Sequence, residues 1–321
     1  MKNRLTYIIG CIAIALIASA CEKTLEFDGE ETQRLLVLNT FPNPDEELKV
    51  ELSHSRFFLD NDNKPWEMTG AAVSLWKDGT EIDHLWADPY QPGLYVSDYR
   101  PNEGETLRLT ASAPGFDPVE TTFSIPRRVP IISVDAVNKN PGENDPDYED
   151  YYDERYLVYD LSVKFQDEGD VDNFYRIQTK LELTYQNGDI VYEPMWFERD
   201  DIVFGETDVL DMSENEYGEF SDALFDGKEY TVKLGVEHYA YYWGYDTEII
   251  SAAIVVELHQ ITEDFYLYLR TRTASVMAED FGGLFFEPVQ IFNNIEGGIG
   301  IAGGYSVDRF RIPMKEIVFG R

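Results

Sequence analysis

Four histidines, two runs of acids, a group of tyrosines and two cysteines are the residues through which this chain could do chemistry. The histidines, at positions 54, 84, 238 and 259, are scattered and have no metal-ligand spacing. No His-Glu-x-x-His, paired Cys ligands or nucleophile elbow occurs, so no catalytic residue is assigned and no cofactor is expected. Gly297-Gly298-Ile299-Gly300 lacks the lysine of a phosphate loop and reads as tight turning beside a buried strand. Asp60-Asn61-Asp62-Asn63 and Asp167-Glu168-Gly169-Asp170-Val171-Asp172 offer hard oxygen ligands of the kind calcium prefers. The first run lacks the central glycine and terminal glutamate of a calcium loop. The second leaves Asp167, Asp170 and Asp172 as candidate ligands, with solvated turns as the plainer account of both. Tyr239, Tyr241, Tyr242, Trp243 and Tyr245 crowd around Gly244, and Tyr148, Tyr151 and Tyr152 sit among acids. Exposed rings beside carboxylates make platforms for sugars, cations or peptides, and packing within a strand is the competing account of Tyr239 to Tyr245.

Cys21 has a different chemistry. Lys2 and Arg4 precede an apolar stretch from Tyr7 to Ile17, and the small residues Ala18-Ser19-Ala20 lead directly to it. That order is an export signal of the lipoprotein type, in which the thiol is acylated and the chain is cut just before it. Ile8-Ile9-Gly10-Cys11 is a looser version with apolar sequence continuing after it. An uncleaved anchor needs about 20 apolar residues, and this span is shorter. Cys11 then leaves with residues 1–20 and Cys21 carries lipid, so the mature chain has no disulfide. One acyl chain holds a protein marginally and two or more hold it firmly. Glu22, Glu26, Asp28, Glu30 and Glu31 follow closely, which makes residues 21–34 a solvated tether.

The whole chain has 321 residues and a formal net charge of -35, from 26 Lys and Arg against 61 Asp and Glu. Loss of residues 1–20 removes Lys2 and Arg4 and no acid, leaving 24 basic residues and a net charge of -37. Such a surface repels phosphate backbones, and no basic stripe offsets it, so nucleic acid is excluded as a partner. Hydrophobic residues make up 43% and aromatics 14%, too much for a chain that stays unfolded.

These groups need a scaffold, and its pattern is mainly β. From Leu35 to about Pro126, short alternating runs are separated by turn formers every few residues, including Lys77-Asp78-Gly79-Thr80, a hairpin signal. Residues 35–128 read as a β-sandwich of the immunoglobulin or transthyretin kind. Residues 129–155, rich in proline and acids, read as a link, and residues 156–321 as a second antiparallel β domain. There Leu157, Tyr159, Leu161, Val163 and Phe165 alternate as a half-buried strand. Glu198 to Asp222 holds ten acids in 25 residues and reads as a long solvated loop. One helix is expected at about 263–277, capped by Thr262, with Glu263 and Asp264 in its first turn and Phe265, Tyr268, Leu269 and Val276 on one face.

Several pieces together resemble the Gram-negative outer-membrane lipoproteins grouped as domain-of-unknown-function family four-two-four-nine. They are Ala20-Cys21-Glu22, Leu35 to Asn39, Gly70 to Leu75, Gly93-Leu94-Tyr95, Gly104 to Ala113, Tyr266 to Leu269, Glu287-Pro288-Val289 and Asn294 to Gly300. The last is the most specific. The resemblance implies a lipid-anchored place in the outer membrane and a TonB-dependent transporter as partner, and it carries no catalytic residues. The expected function is non-enzymatic help in nutrient capture or uptake. A free-standing surface adhesin, a glycan- or peptide-binding module and a hydrolase stand as alternatives.

Overall fold

Alternation is the rule from the first strand: in Leu36–Thr40 (β1), Leu36, Leu38 and Thr40 turn inward and are buried. Lys49–His54 (β2) does the same with Val50 and Leu52. Ala72–Lys77 (β3), Thr80–Ala87 (β4), Leu94–Val96 (β5), Thr106–Ser112 (β6) and Val119–Ser124 (β7) follow. Each buried Leu or Val contributes about 1.5–3 kcal/mol relative to exposure. The β3–β4 connection is the expected tight hairpin, with Asp78 at φ 49° and Gly79 at φ 77° and Lys77 paired to Thr80. The inward leucines and valines close on the buried Tyr95, whose hydroxyl donates to the Met68 carbonyl and accepts from the Ala71 N–H.

This computed structural model describes residues 33–57, 65–139, 156–199, 201–205, 217–239, 249–280 and 289–314. Contacts divide the chain into Met1–Gln33 and Arg34–Arg321, and all that follows concerns the second unit. The described part is mainly β, with antiparallel sheets and one α-helix. No helix among the described residues is long and apolar enough to cross a membrane.

After β7 come Ile131–Asn138 (β8), Tyr156–Gln166 (β9), Phe174–Tyr185 (β10), Ile190–Pro194 (β11), Trp196–Glu198 (β12), a 3-10 turn at Ile202–Gly205, Glu219–Ser221 (β13), Glu229–Tyr239 (β14) and Ile249–Ile261 (β15). Glu263–Asp280 (α1), Ile299–Ala302 (β16) and Tyr305–Pro313 (β17) complete the order. A four-stranded sheet, β12-β14-β9-β8, and a sheet ordered β11-β10-β15-β17, with β13 also on β10, supply the strands of a second core. The alternating Leu157, Leu161, Val163 and Phe165 of β9 are buried in it. Phe165 and Tyr175 lie 5.1 Å apart there, and Tyr175 and Phe220 5.4 Å apart.

Three sequence expectations change. The stretch 129–155 is not a link throughout: Ile131–Asn138 is β8, paired along β9. Its polar, exposed side masks a strand whose inner residues meet a partner. Glu198 to Asp222 is not solvated throughout either. Val203, Phe204 and Phe220 are buried, and Asp201 accepts from the Tyr230 hydroxyl at 2.6 Å and the Lys233 N–H at 2.9 Å. Helix α1 begins as expected, with Phe265 N–H donating to the Thr262 hydroxyl at 3.4 Å. Its buried line is Phe265, Leu269 and Thr273, however, and Val276 is exposed.

The largest departure from a simple chain order is β16. Ile299–Ala302 lies inside the 156–321 stretch, yet it runs parallel to β1 from Val37↔Ile299 to Thr40↔Ala302 and joins the first sheet. On its other side Glu120 and Glu296 exchange backbone hydrogen bonds of 3.1 and 2.8 Å. The segment therefore lies between β1 and β7, the two ends of that sheet. Its fit leaves no room for side chains: a Cβ on Gly298 would collide with the Leu36 carbonyl oxygen, and one on Gly300, at φ 131°, with that of Leu38. Ala in place of Gly300 is expected to cost more than about 3 kcal/mol in urea unfolding, since backbone must move. Gly79→Ala, with open space around it, should cost only the left-handed strain of about 1–2 kcal/mol.

Candidate functional site

A cleft of about 570 Å³ lies on the first sheet where β1, β2 and the start of β5 meet residues 66 and 67. Glu67 bridges to Ser53 in β2, and the flanking hydrogen bonds His54 N–H to Trp66 O and Met68 N–H to Leu52 O fix this segment in place. Val37, Pro92 and Leu94 give apolar wall; Asn39, Glu51, Arg56 and Gln91 add polar groups. Trp66 lines the cleft and is 54% exposed, an unusual amount for so large a ring on a rigid sheet. Its indole N–H donates to Glu67 Oε1 at 2.7 Å. The backbone N–H of Glu67, with that indole and the Trp66 N–H, holds the Glu67 carboxyl below the usual carboxylate range, so it is an anion at neutral pH.

Gly93 permits this geometry. At φ 83° its carbonyl accepts from the Leu52 N–H at 2.8 Å, and a Cβ there would come within 2.7 Å of the Leu52 carbonyl oxygen and 3.0 Å of the Glu67 Cβ. Its place in a Pro-Gly turn is legible from sequence. The Trp66 cleft itself is not. The only signal is a tryptophan between Pro65 and Glu67 outside any alternating run.

A second concentration of chemistry lies at one end of the second core. Carboxylate oxygens of Asp167, Asp222 and Asp226 lie within 4.8 Å of one another, the first two buried and the third exposed. Of the three candidate calcium ligands, only Asp167 belongs to this group. Asp170 enters it through its backbone, donating its N–H to Asp226 Oδ1 at 3.3 Å, and Asp172 is not brought to it. Asp222 and Asp226 come from another part of the chain, which is why spacing could not reveal them. The acids are held by donors: Tyr175 hydroxyl and Gly227 N–H to Asp167, and Asn173 N–H to Asp222 at 2.9 Å. Burial, then the Asp167 charge, pushes the Asp222 carboxyl above its ordinary range despite the Asn173 N–H. Burial and Asp167 likewise push the Tyr175 hydroxyl up.

Of the aromatic candidates, Tyr239 is the last residue of β14, opposite Tyr156 in β9. Tyr241, Tyr242, Trp243 and Tyr245 lie outside the described residues, as do Cys21 and Asp60 to Asn63. The histidines stay apart. His54 is in β2 with its ring 5.8 Å from that of Phe116, and His84 is in β4. His238 lies 3.0 Å from Glu193, and buried His259 lies 3.4 Å from Glu257.

A raised carboxyl pKa means the folded state binds the proton more tightly than the unfolded chain, so its contribution to stability is lost as pH rises through the folded pKa. Asp222→Asn keeps the shape and the acceptor for Asn173 and removes the charge. Calorimetry at pH 7 should show a midpoint higher by about 2–4 °C, the shift produced by ~1 kcal/mol in chains of a few hundred residues. The gain should shrink as pH falls and Asp222 takes up its proton in the parent.

No curated protein matches the sequence. Among solved structures, a DUF4785 family protein from Legionella pneumophila is 12% identical, with 72% of this chain and 54% of that one covered at a TM-score of 0.25. This chain therefore spans about half the length of that protein. BcpA, the major pilin subunit of Bacillus cereus, is 13% identical over 87% of this chain and 68% of its own, at a TM-score of 0.17. The family comparison is broader: residues 22–311 match the model described as domain of unknown function (DUF4249), and the chain belongs to that family.

Proposed function

We propose that the protein is a lipid-anchored component of the outer membrane that helps a TonB-dependent transporter capture a nutrient, without catalysing a reaction on it. The observation that carries this reading is Cys21, placed after Ala18-Ser19-Ala20 at the end of an apolar segment and ahead of a β unit that begins at β1. An acylated Cys21 would attach the chain to a leaflet, and residues 22–34, rich in acids, would hold the β unit off the headgroups. The cleft around Trp66, on a sheet whose ends are bound together by β16, is the kind of preformed surface a capture protein needs. The acid excess suits a solvent-facing protein that must stay dispersed above a crowded membrane.

The anchoring and the partnership are tested separately. Cys21→Ala should shift the protein from the membrane to the soluble fraction and abolish labelling by radioactive palmitate, while its far-UV circular dichroism stays that of the parent. A tagged wild-type copy, extracted from outer membrane in mild detergent, should bring down a barrel of transporter size that the Cys21→Ala protein does not. A tag that never retrieves a barrel contradicts the transporter reading and leaves the lipid anchor standing.

A further inference from the structure

We propose that the Trp66 cleft binds an oligosaccharide, with the ring of Trp66 as the stacking platform and Glu67, Glu51 and Asn39 as hydroxyl partners. This deepens the reading above by giving the nutrient class and rests on it only for the word nutrient, because binding itself requires no transporter.

The chemistry follows from how the cleft is built. A pyranose ring has one apolar C–H face and a rim of hydroxyls, so a site for it needs a flat aromatic surface bordered by acceptors and donors. Trp66 is exposed over about half its surface while its own carbonyl and the two residues after it are bonded to β2, so the ring is presented without a large entropy cost. Its N–H is already engaged by Glu67, which leaves the π faces as what the indole offers. That same contact holds Glu67 as a carboxylate, an acceptor of charge-assisted hydrogen bonds from hydroxyls. Asn39 and Gln91 can both donate and accept, which matches hydroxyls better than it matches an anion or a cation. At about 570 Å³ the cleft falls within the ~300–1,000 Å³ range of small-ligand sites and is open enough for a chain to extend beyond it.

An anion is disfavoured by Glu51 and Glu67, which outnumber Arg56 within the cleft, and by the charge of the whole protein. A small cation is the competing ligand, since it could use Trp66 and both carboxylates. The apolar walls from Val37, Pro92 and Leu94 favour the sugar, because a strongly hydrated cation gains nothing from them.

The test uses the lipidated full-length protein in a detergent without a sugar headgroup. Malto-, cello-, xylo- and chito-oligosaccharides of two to four units are titrated in by calorimetry, with spermidine and arginine as cationic probes. At least one series should give saturable heat below about 10 mM. Trp66→Ala should weaken it at least tenfold, Trp66→Phe less, and Glu67→Gln by an intermediate amount. Both positions are at the surface, and circular dichroism should report an unchanged fold for all three variants. The proposal is overturned if none of the four series binds at that concentration, if only the cations bind, or if Trp66→Ala binds the sugar as the parent does. None of these outcomes bears on whether a transporter barrel co-purifies.

Discussion

The insertion of β16 between β1 and β7 is the contact on which the rest of the structure depends. A sheet that ended at β1 on one side and β7 on the other would leave two rows of unpaired N–H and C=O groups, each a template for association with another chain. Residues 296–302 meet both edges: they pair in parallel along β1 on one side and exchange the single Glu120–Glu296 bridge with β7 on the other. The geometry allows this only where side chains are missing, because the segment lies against the carbonyls of Leu36, Leu38 and Pro118. The run Glu296-Gly297-Gly298-Ile299-Gly300 is thus a packing requirement, and Ile295 before it and Ala302 after it put apolar area into the first core.

The neighbouring elements are tied to this segment. Asn294 accepts the Ala302 N–H at 2.9 Å and donates to Ala302 O at 3.0 Å and to Asp264 at 2.8 Å, so one amide closes the loop before β16 and fastens it to the first turn of α1. Phe265 of α1 packs where Gly303 has no side chain, and its ring lies 4.9 Å from that of Phe41 just after β1. Charges continue the connection. Arg128 bonds Glu103 and Asp45, Asp45 bonds Arg309, and Arg309 bonds Glu257, which Lys180 also reaches at 2.6 Å. Burial alone would raise the carboxyl pKa of Asp45 and of Glu257; the surrounding arginines, with His259 and Lys180 at Glu257, outweigh it and hold both low. Acids with depressed pKa values stabilise the fold above about pH 4 and lose that contribution on acidification. Of these acids only the Glu257 side chain is buried, and removing its partners would leave that charge uncompensated; the other, part-exposed pairs specify the arrangement more than they add net stability.

Much of the strand order was legible because it depends on local pattern. Leu36, Leu38 and Thr40, or Leu157 to Phe165, alternate strictly, and Asp78-Gly79 can hardly do anything but turn. Thr262 with Glu263 and Asp264 marks a helix start by chemistry within four residues. What was not legible depends on residues far apart in sequence. The family-specific glycines read as a tight turn, although they serve contact with strands more than a hundred residues earlier in the chain. Asp167 gathers Asp222 and Asp226 through the fold rather than through its own loop. Val276 satisfies helical spacing and still faces outward, because the helix meets its neighbours along Phe265, Leu269 and Thr273. Trp66 lies in no periodic run, and only the pairing of its backbone with β2 reveals that it borders a cleft.

If β16 binds the two cores into one structure, they must lose structure together. Native-state hydrogen exchange resolves this at single amides: Leu38 in the first core, Ile301 in the inserted strand and Val256 in the second. The expected result is that all three open with the same free energy and the same urea dependence, as one cooperative unit. Exchange of Leu38 and Ile301 at a free energy several kcal/mol below that of Val256, with little urea dependence, would show that the first sheet opens alone and would contradict the role given to β16.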